Sequence, residues 1–223
     1  MSMSIDWSFS VENNAQPSAS FILRAAHESI SDAAEKPLLP LSRQRQALMT
    51  PTIRPATPDD ARGIARVHVE SWRTTYREFL ADTFLAGLSV DQKESMWRQI
   101  VAEPESGGFV HSALDEEGTV IGFSSGGRER SGEMPYDGEL YALYLLKEHQ
   151  GKGIGRMLVD ASVASMKDAG MRSMLIWVLR ENPARGFYRA MGGEPVDEKT
   201  ITIGGVDVVD VAYGWANFER WWS

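Results

Sequence analysis

Hydrophobic residues along the chain change from scattered to regular spacing close to residue 52. Thr57, Pro58 and the two acidic residues behind them form a helix start, with a capping side chain, a proline in the first turn and negative charge at the amino end. The following residues share one face at the spacing of an amphipathic helix: Ile64, Val67, His68, Ser71 and Trp72. With a short strand at 52–54 ahead of it, a folded unit begins at about residue 51.

The remaining pattern alternates strands with helices. It predicts a helical segment at 81–101 broken near 87–89, strands at 109–114, 120–125 and 138–146, a helix at 153–169, a strand at 173–179, a short helix at 183–191, and a hairpin of 199–203 and 206–213. In the helix at 153–169 the residues expected to face inward are Ile154, Met157, Leu158, Ala161 and Ser165. The order of elements indicates a mixed α/β sheet with helices on both faces.

Residues 1–50 differ from this unit, since they are rich in serine and lack periodicity. One weak helix is predicted at 21–36, ahead of the prolines at 37 and 40. Three interpretations stay open: a mobile tail, a docking or regulatory arm, or a natural start at Met49. The predicted organisation is an extension at 1–50 followed by one domain at 51–223.

Composition narrows the class of protein. With 43% hydrophobic and 24% charged residues the chain has the balance of a globular protein, and it has no cysteine for a disulfide or a thiolate site. No run of about 18 apolar residues and no signal peptide is present, so we expect a cytoplasmic protein without a membrane span. The net charge of −8 disfavours nucleic acid and anionic lipid as partners.

A glycine-rich turn behind the strand 138–146 carries the clearest chemical signal. Glycines at 151, 153 and 155 alternate with Lys152, Ile154 and Arg156 where a long helix begins. Backbone N–H groups in such a turn can bind one anion, and the amino end of the helix adds positive potential. A dinucleotide fingerprint would need glycine at Arg156, and a nucleoside triphosphate loop would need Ser or Thr after Lys152. The pattern predicts another kind of phosphate site; a merely flexible turn is the alternative.

Residues 139–145 together with Gln-Gly-Lys-Gly-Ile-Gly-Arg at 150–156 resemble the acetyl-coenzyme A binding motif of the GNAT superfamily of N-acetyltransferases. The segment 182–192, with Phe187 and Tyr188, resembles the family's helix ahead of the sixth strand, and 67–76 resembles a first helix of small bacterial members. The resemblance covers about residues 52–213. It implies an α+β fold with a mostly antiparallel sheet that is splayed between its fourth and fifth strands, and acetyl-CoA as cosubstrate.

The resemblance also implies which residues hold the coenzyme. The backbone of Leu143, Tyr144 and Leu145 would bind the pantetheine arm and the acetyl carbonyl. The pyrophosphate site would comprise Gln150, Gly151, Lys152, Gly153, Ile154, Gly155 and Arg156, and Asn182 would add a further contact. Three positions depart from the family pattern: Asn182 lies one residue closer to Tyr188 than usual, Gly193 replaces a phenylalanine, and Trp177 stands where some members have a glutamate.

Acetyl transfer to an amine needs a base, an oxyanion site and a proton for the leaving thiolate. Tyr188 is the candidate acid, with packing of the helix as its alternative. The N–H of Leu143 or Leu145 would bind the oxyanion. Glu139 is the candidate base, acting through water, with a solvated acid at a strand end as its alternative.

Four residues are candidates for binding the acceptor: His68, Trp72, Tyr76 and Tyr141. For each of them, packing is the alternative role. The four histidines of the chain show no spacing typical of metal ligands, so no metal is expected.

The predicted reaction is direct acetyl transfer to a primary amine of a small molecule in a ternary complex. Acetylation of a protein or peptide N-terminus and a non-catalytic acyl-CoA sensor are the alternatives. A homodimer is left open.

Overall fold

The computed structural model describes residues 51–104, 107–218 and 221. Its strands form one seven-stranded sheet in the order β1-β2-β3-β4-β5-β7-β6. The strands are β1 (Thr52–Pro55), β2 (Phe109–Leu114), β3 (Val120–Arg128), β4 (Gly138–Leu145), β5 (Met174–Leu179), β6 (Glu194–Ile203) and β7 (Val206–Trp215). The helix predicted at 21–36 and the rest of the first fifty residues lie outside the described residues.

In the described part of the chain five α-helices accompany the sheet: α1 (Ala61–Thr75), α2 (Asp82–Gly87), α3 (Val90–Ala102), α4 (Ile154–Asp168) and α5 (Arg185–Ala190). Single 3-10 turns at Pro58–Asp60 and Lys147–His149 precede α1 and α4. At the start of α1 the Thr57 amide donates to Asp60 Oδ2 at 2.8 Å, as the capping pattern predicted. The predicted break near 87–89 is confirmed, because α2 ends and α3 begins there.

The sheet opens between β4 and β5. These two strands run parallel and pair only at Gly138 with Met174 and at Glu139 with Leu175, whereas every other neighbouring pair is antiparallel. From Leu140 onward β4 has no partner on its β5 side. This gap confirms the mostly antiparallel, splayed sheet that the resemblance implied.

The two largest hydrophobic cores among the described residues cover the two faces of the sheet. One core joins α4 and α5 to the sheet and includes Leu143, Leu158 and Tyr188. The other joins α1 and the Trp97 side chain of α3 to the sheet and includes Trp72 and Tyr144. The sheet therefore has an α4 side and an α1 side, and so does the gap within it.

The inward face of α4 was only partly predicted. Ile154 and Leu158 are buried as expected, but Met157, Ala161 and Ser165 are half-buried. The buried residues are Ile154, Gly155, Leu158, Val159, Ser162, Val163 and Met166. Ser162 can be buried there because its hydroxyl donates to the Leu158 carbonyl oxygen at 2.8 Å, which satisfies this polar group inside the core.

No helix in residues 51–104 and 107–218 has both the length and the apolar composition needed to cross a membrane.

Candidate functional site

The turn between β4 and α4 is built by two glycines. Gly151 and Gly153 have φ angles of +73° and +83°, in the left-handed region that side chains disfavour. The first amide bonded back into the chain is that of Met157, which donates to the Gly153 carbonyl at 3.2 Å. The amides of the first three residues of α4, 154–156, precede this first helical bond. The first N–H groups of a helix have no partner within it, so they can bind an outside acceptor such as a phosphate oxygen.

Two basic side chains of this turn, those of Lys152 and Arg156, are exposed. Arg156 lies 3.6 Å from Asp160, one turn further along α4, and Asp160 also accepts a hydrogen bond from the Trp221 indole at 2.8 Å. The basic groups border the row of amides, which fits a doubly charged pyrophosphate.

The side chain of Gln150 has a different task from the expected coenzyme contact. Its Nε2 donates to the Leu145 carbonyl oxygen at 3.0 Å. Because Leu145 is the last residue of β4, this bond ties the turn to the strand and fixes where the amides of the turn lie.

The backbone of β4 presents alternate residues to the gap. Leu146 N donates to Ile121 O of the β3 side at 2.9 Å, whereas Leu145 O points away from β3 to Gln150. Backbone groups of an antiparallel strand alternate in direction, so those of Leu143 and Leu145 face the gap and those of Tyr144 face β3. The N–H and C=O of Tyr144 serve the β3–β4 ladder, which opposes the expected coenzyme contact of its backbone; this contact stays a prediction.

A β-bulge occurs in β4 where the gap begins. Ala142 lies opposite Ser125 and Leu140 opposite Gly126, so that Tyr141 is the extra residue. Bulges bend a strand and occur next to active sites. The Tyr141 hydroxyl donates to the Arg128 carbonyl at 2.6 Å, and its ring lies 4.2 Å below the Arg130 guanidinium. Tyr141 thus lies at the closed end of the gap, which is the end next to the paired residues Gly138 and Glu139.

Glu139 lies at the same closed end and is 2% exposed. Arg130 binds both of its carboxylate oxygens, through Nε to Oε2 at 3.1 Å and through Nη2 to Oε1. In this two-point ion pair each carboxylate oxygen already accepts a charge-assisted hydrogen bond, which favours the ionised, structural form of the group. This contact opposes the role of general base, which stays a prediction.

Three of the four acceptor candidates form one buried cluster with Tyr144. Trp72 Nε1 donates to the Tyr144 hydroxyl at 2.8 Å, and the His68 ring is stacked on the Tyr144 ring with centroids 5.1 Å apart. The Tyr76 hydroxyl accepts a hydrogen bond from Asn182 Nδ2 at 3.2 Å. All of these side chains are 3% exposed or less. The structure brings these three together and places Tyr141 apart from them.

Burial controls the protonation of this cluster. It lowers the pKa of His68 well below its ordinary value, and the Trp97 indole donates to His68 Nδ1 at 3.1 Å, which assigns the proton of the neutral ring to Nε2. Burial also raises the pKa of Tyr144. Both rings are therefore neutral near pH 7.

Asn182 links the two sides of the gap. Its Oδ1 accepts from the Ala184 amide at 2.9 Å ahead of α5, and its Nδ2 holds Tyr76 on the α1 side. Tyr188, on α5, is 1% exposed, with its ring 5.3 Å from that of Phe187. The coenzyme contact of Asn182 and the acid role of Tyr188 stay predictions.

Helix α2 approaches the turn between β6 and β7. A Cβ on Gly204, in the β6–β7 turn, would lie 2.6 Å from Cγ of Phe84, so the hairpin backbone touches the Phe84 ring. This contact closes the space between α2 and the hairpin.

Two buried ionisable groups were missed by the sequence analysis. Lys93 of α3 is 7% exposed, and burial lowers its pKa to about 8; Asp210 of β7 is 0% exposed. Asp210 alternates with Val208 and Ala212, and an acid on the buried face of a strand is the signal that would have found it. Within the described ranges no three His, Asp or Glu side chains group as metal ligands.

Comparisons with known proteins identify the family of the chain. The chain matches the acetyltransferase (GNAT) family model over residues 69–192. It is 42% identical over 168 residues to the uncharacterized N-acetyltransferase YuaI of Bacillus subtilis (strain 168), which covers 75% of this chain and 94% of YuaI.

Two solved structures share the fold. The PaiA N-acetyltransferase of Thermoplasma acidophilum, in complex with coenzyme A, has a TM-score of 0.58 at 24% identity and covers 73% of this chain and 98% of its own. YncA of Salmonella typhimurium, with acetyl-CoA, has a TM-score of 0.58 at 21% identity and covers 74% of this chain and 93% of its own. With its splayed sheet and glycine turn, the chain belongs to the GNAT family and is an acetyl-CoA-dependent N-acetyltransferase.

Proposed function

We propose that the chain acetylates a primary amine of a small molecule, by direct transfer while both substrates are bound. The observation that carries this proposal is the gap between β4 and β5. It is bordered by a phosphate-binding turn on the α4 side and by a closed aromatic cluster on the α1 side. Two substrates can therefore meet in the gap from opposite faces of the sheet.

Residues of the α4 side would hold acetyl-CoA, which supplies the activated acetyl group. The amides of 151–156, with Lys152 and Arg156, match the charge of its phosphates. The N–H groups of Leu143 and Leu145 face the gap and would donate to the acetyl oxygen as it gains negative charge. The amides at the start of α4 and the gap-facing amides of β4 both fit this ligand.

Tyr188 would give a proton to the thiolate that leaves. It lies on α5 in the same core as α4 and Leu143, on the side from which the coenzyme would enter. A phenol can donate a proton near neutral pH when a basic group forms beside it.

A small acceptor is favoured over a peptide by the contact of Phe84 with Gly204. A peptide N-terminus needs an open groove between the helices and the β6–β7 hairpin, and this contact narrows that entrance. Trp72 and Tyr76 would then bound a pocket for a small amine, with His68 supporting Tyr144 from behind.

An amine panel tests the proposal. Full-length protein with acetyl-CoA is offered spermidine, 2-phenylethylamine, L-methionine and a decapeptide with a free N-terminus. Release of the coenzyme A thiol is followed with a colorimetric thiol reagent, and the products are identified by mass spectrometry. The protein has no cysteine, so it adds no thiol background. We expect turnover of at least one small amine at more than ten times the peptide rate. Acetylation of the peptide alone would support a peptide acetyltransferase, and coenzyme binding without turnover would support a sensor.

A further inference from the structure

Lys93 and Trp97 are the two side chains of α3 that are buried. They lie four residues apart, so they share one face of the helix, one turn from each other. Trp97 shows where this face points, because its indole donates to His68 Nδ1 at 3.1 Å and its ring lies 4.8 Å from the Phe123 ring of β3. Lys93 therefore enters the core on the α1 side, next to the aromatic cluster.

The ammonium of Lys93 has no counter-charge among residues 51–104 and 107–218. Lys93 is 7% exposed, and no side chain or carbonyl oxygen in these ranges bonds to it. The nearby acids of its own helix, Asp91 and Glu94, are bound by Arg62 at 3.3 and 2.7 Å. A buried cation without a partner costs free energy, and burial lowers the pKa of Lys93 to about 8. An anion beside Lys93 would remove this cost.

Backbone oxygens at the amino end of α3 are bonded to another cation. Side chains of a helix tilt toward its amino end, so the Lys93 stem extends toward the loop that joins α2 to α3. Arg73 of α1 donates to three carbonyl oxygens there, at 3.1, 3.3 and 2.8 Å, those of Leu85, Ala86 and Leu88. These oxygens are balanced by Arg73, and Lys93 is left for a ligand.

Lys93 lies beside the wall of the proposed acceptor pocket. The His68 ring is stacked on the Tyr144 ring with centroids 5.1 Å apart, and it lies 5.9 Å from the Trp72 ring. The charge of Lys93 adds to the burial that lowers the pKa of His68, which agrees with the position of Lys93 one turn from Trp97. Tyr144 belongs to β4, the strand that borders the gap. An acceptor in this pocket can therefore direct its amine to the gap and a negative group to α3.

A single ammonium matches a group with one negative charge. The neighbouring guanidinium groups already have partners, because Arg62 and Arg98 bind Glu94 and Arg73 binds carbonyl oxygens. A doubly charged phosphate would leave one charge unbalanced in this buried place. A carboxylate is balanced by one ammonium and accepts short, charge-assisted hydrogen bonds from it.

We propose that Lys93 binds a carboxylate of the acceptor, so that the preferred substrate is a small molecule with both a primary amine and a carboxylate. The inference rests on the proposed function and deepens it by naming the class of acceptor. Lys93 is a residue that selects the acceptor, and it takes no part in the proton transfers.

Matched pairs of acceptors test the need for a carboxylate. Each pair differs by that group alone: L-phenylalanine and 2-phenylethylamine, L-methionine and 3-(methylthio)propylamine, 4-aminobutyrate and propylamine. With the full-length protein we expect kcat/KM of the acid to exceed that of its amine by more than tenfold in at least one pair. Turnover without such a preference in any pair would overturn the assignment of Lys93 and leave the proposed function intact.

Lys93→Met removes the charge and keeps an unbranched side chain. For the preferred pair we expect the ratio of kcat/KM between acid and amine to fall by about 10–100-fold, chiefly through a higher KM for the acid, because a charge-assisted hydrogen bond is lost. Comparison of this ratio between the two proteins cancels the different basicities of the two amines. An unchanged ratio contradicts the proposal.

Arg98→Met is the matched control, since it removes one positive charge from the exposed side of the same helix. The Arg98 side chain is 50% exposed and pairs with Glu94 at 2.8 Å. The ratio between acid and amine should equal that of the wild type. A ratio reduced as much as in Lys93→Met would assign the effect to the general charge of α3 and overturn the role of Lys93.

A binding measurement separates failure of the Lys93 proposal from failure of the proposed function. The three acids are titrated by calorimetry into the complex with coenzyme A, where no acetyl group can be transferred. We expect at least one acid to bind the wild type and to bind Lys93→Met more than tenfold more weakly. If no acid binds, or if both proteins bind the acids equally, the Lys93 proposal is overturned, whether or not any amine is acetylated.

Loss of binding in Lys93→Met without turnover of any amine would retain the carboxylate site and overturn the proposed transfer. If Lys93→Met does not fold, Lys93→Gln takes its place in both measurements. The same weaker binding supports the proposal, and equal binding contradicts it.

Discussion

Gly155 lies buried in the first turn of α4 with a backbone angle that any residue can adopt. A Cβ built there would meet only Phe187, at 3.7 Å, which is ordinary contact. Neither the backbone nor the packing therefore requires glycine at this position. Under the proposed function the requirement comes from outside the chain, because a phosphate must approach the amides closely.

Gly155→Ala separates binding from folding. We expect the dissociation constant of coenzyme A to rise about tenfold or more, while the free energy of unfolding stays equal or rises by up to about 1 kcal/mol from better helix propensity. Calorimetry and urea unfolding measure the two quantities. Gly186→Ala, in α5, is the control for propensity, since nothing lies within 4 Å of its added Cβ. Unchanged coenzyme affinity would refute the phosphate site at this turn.

Tyr188 is tested by removing only its hydroxyl. In Tyr188→Phe we expect kcat to fall by about 10²-fold or more, because proton donation to the thiolate is lost. Coenzyme affinity, measured by calorimetry, should stay within twofold because the ring still packs beside Phe187 and Tyr213. An unchanged kcat with an accepted amine would leave Tyr188 a packing residue only.

At the scale of elements, the junction of β4 and β5 decides where the gap begins. The two strands pair at Gly138 and Glu139 and part at the bulge of Tyr141. Arg130, in the loop before β4, binds Glu139 and lies over the Tyr141 ring. These contacts join the loop, the last paired residue and the first unpaired ones into one support for the closed end.

Glu139→Gln distinguishes support from catalysis. Loss of the buried ion pair leaves Arg130 without its partner carboxylate, and we expect the free energy of unfolding to fall by about 3–5 kcal/mol. Urea unfolding measures this loss, and kinetics follow at a temperature where the variant is folded. If stability is unchanged while kcat falls, Glu139 is the base after all. The exposed pair of Arg180 and Glu198 gives the control Glu198→Gln, with a loss of at most about 1 kcal/mol.

At the scale of the whole molecule, the packing of α3 on α1 contains a buried base. The Lys93 side chain lies close enough to lower the pKa of His68, and its ammonium makes no hydrogen bond or ion pair with another residue in the described part of the chain. The fold thus accepts an unbalanced ammonium beside the aromatic cluster. Stability is reduced at neutral pH for that reason.

The pH dependence of unfolding tests this cost. Burial holds the pKa of Lys93 at about 8 in the folded chain, against 10.5 when exposed. Between these values the unfolded chain binds a proton that the folded chain does not, so the unfolding free energy rises from pH 8 to 10.5. In Lys93→Met this rise should vanish, and stability at pH 7 should increase by about 2–3 kcal/mol. Chemical unfolding at several pH values measures the rise with pH and the gain at pH 7. If the unfolding free energies of the wild type and Lys93→Met change in parallel with pH, the lowered pKa of Lys93 is contradicted.

The sequence alone determined the element order, the helix starts and the glycine-rich turn, because all three depend on local spacing of glycine, proline and apolar residues. Gly151 and Gly153 took the left-handed angles that only glycine accepts readily, and the family motif indicated the splayed sheet. The tertiary structure decided the contacts between residues that lie far apart in the sequence, because local spacing does not specify them. Arg130 reaches Glu139 from a loop, Asn182 reaches Tyr76 across the gap, and β-strand direction turns the Tyr144 backbone to β3. The burial of Asp210 on β7 was likewise decided by the folded chain, since burial and neighbours depend on tertiary packing.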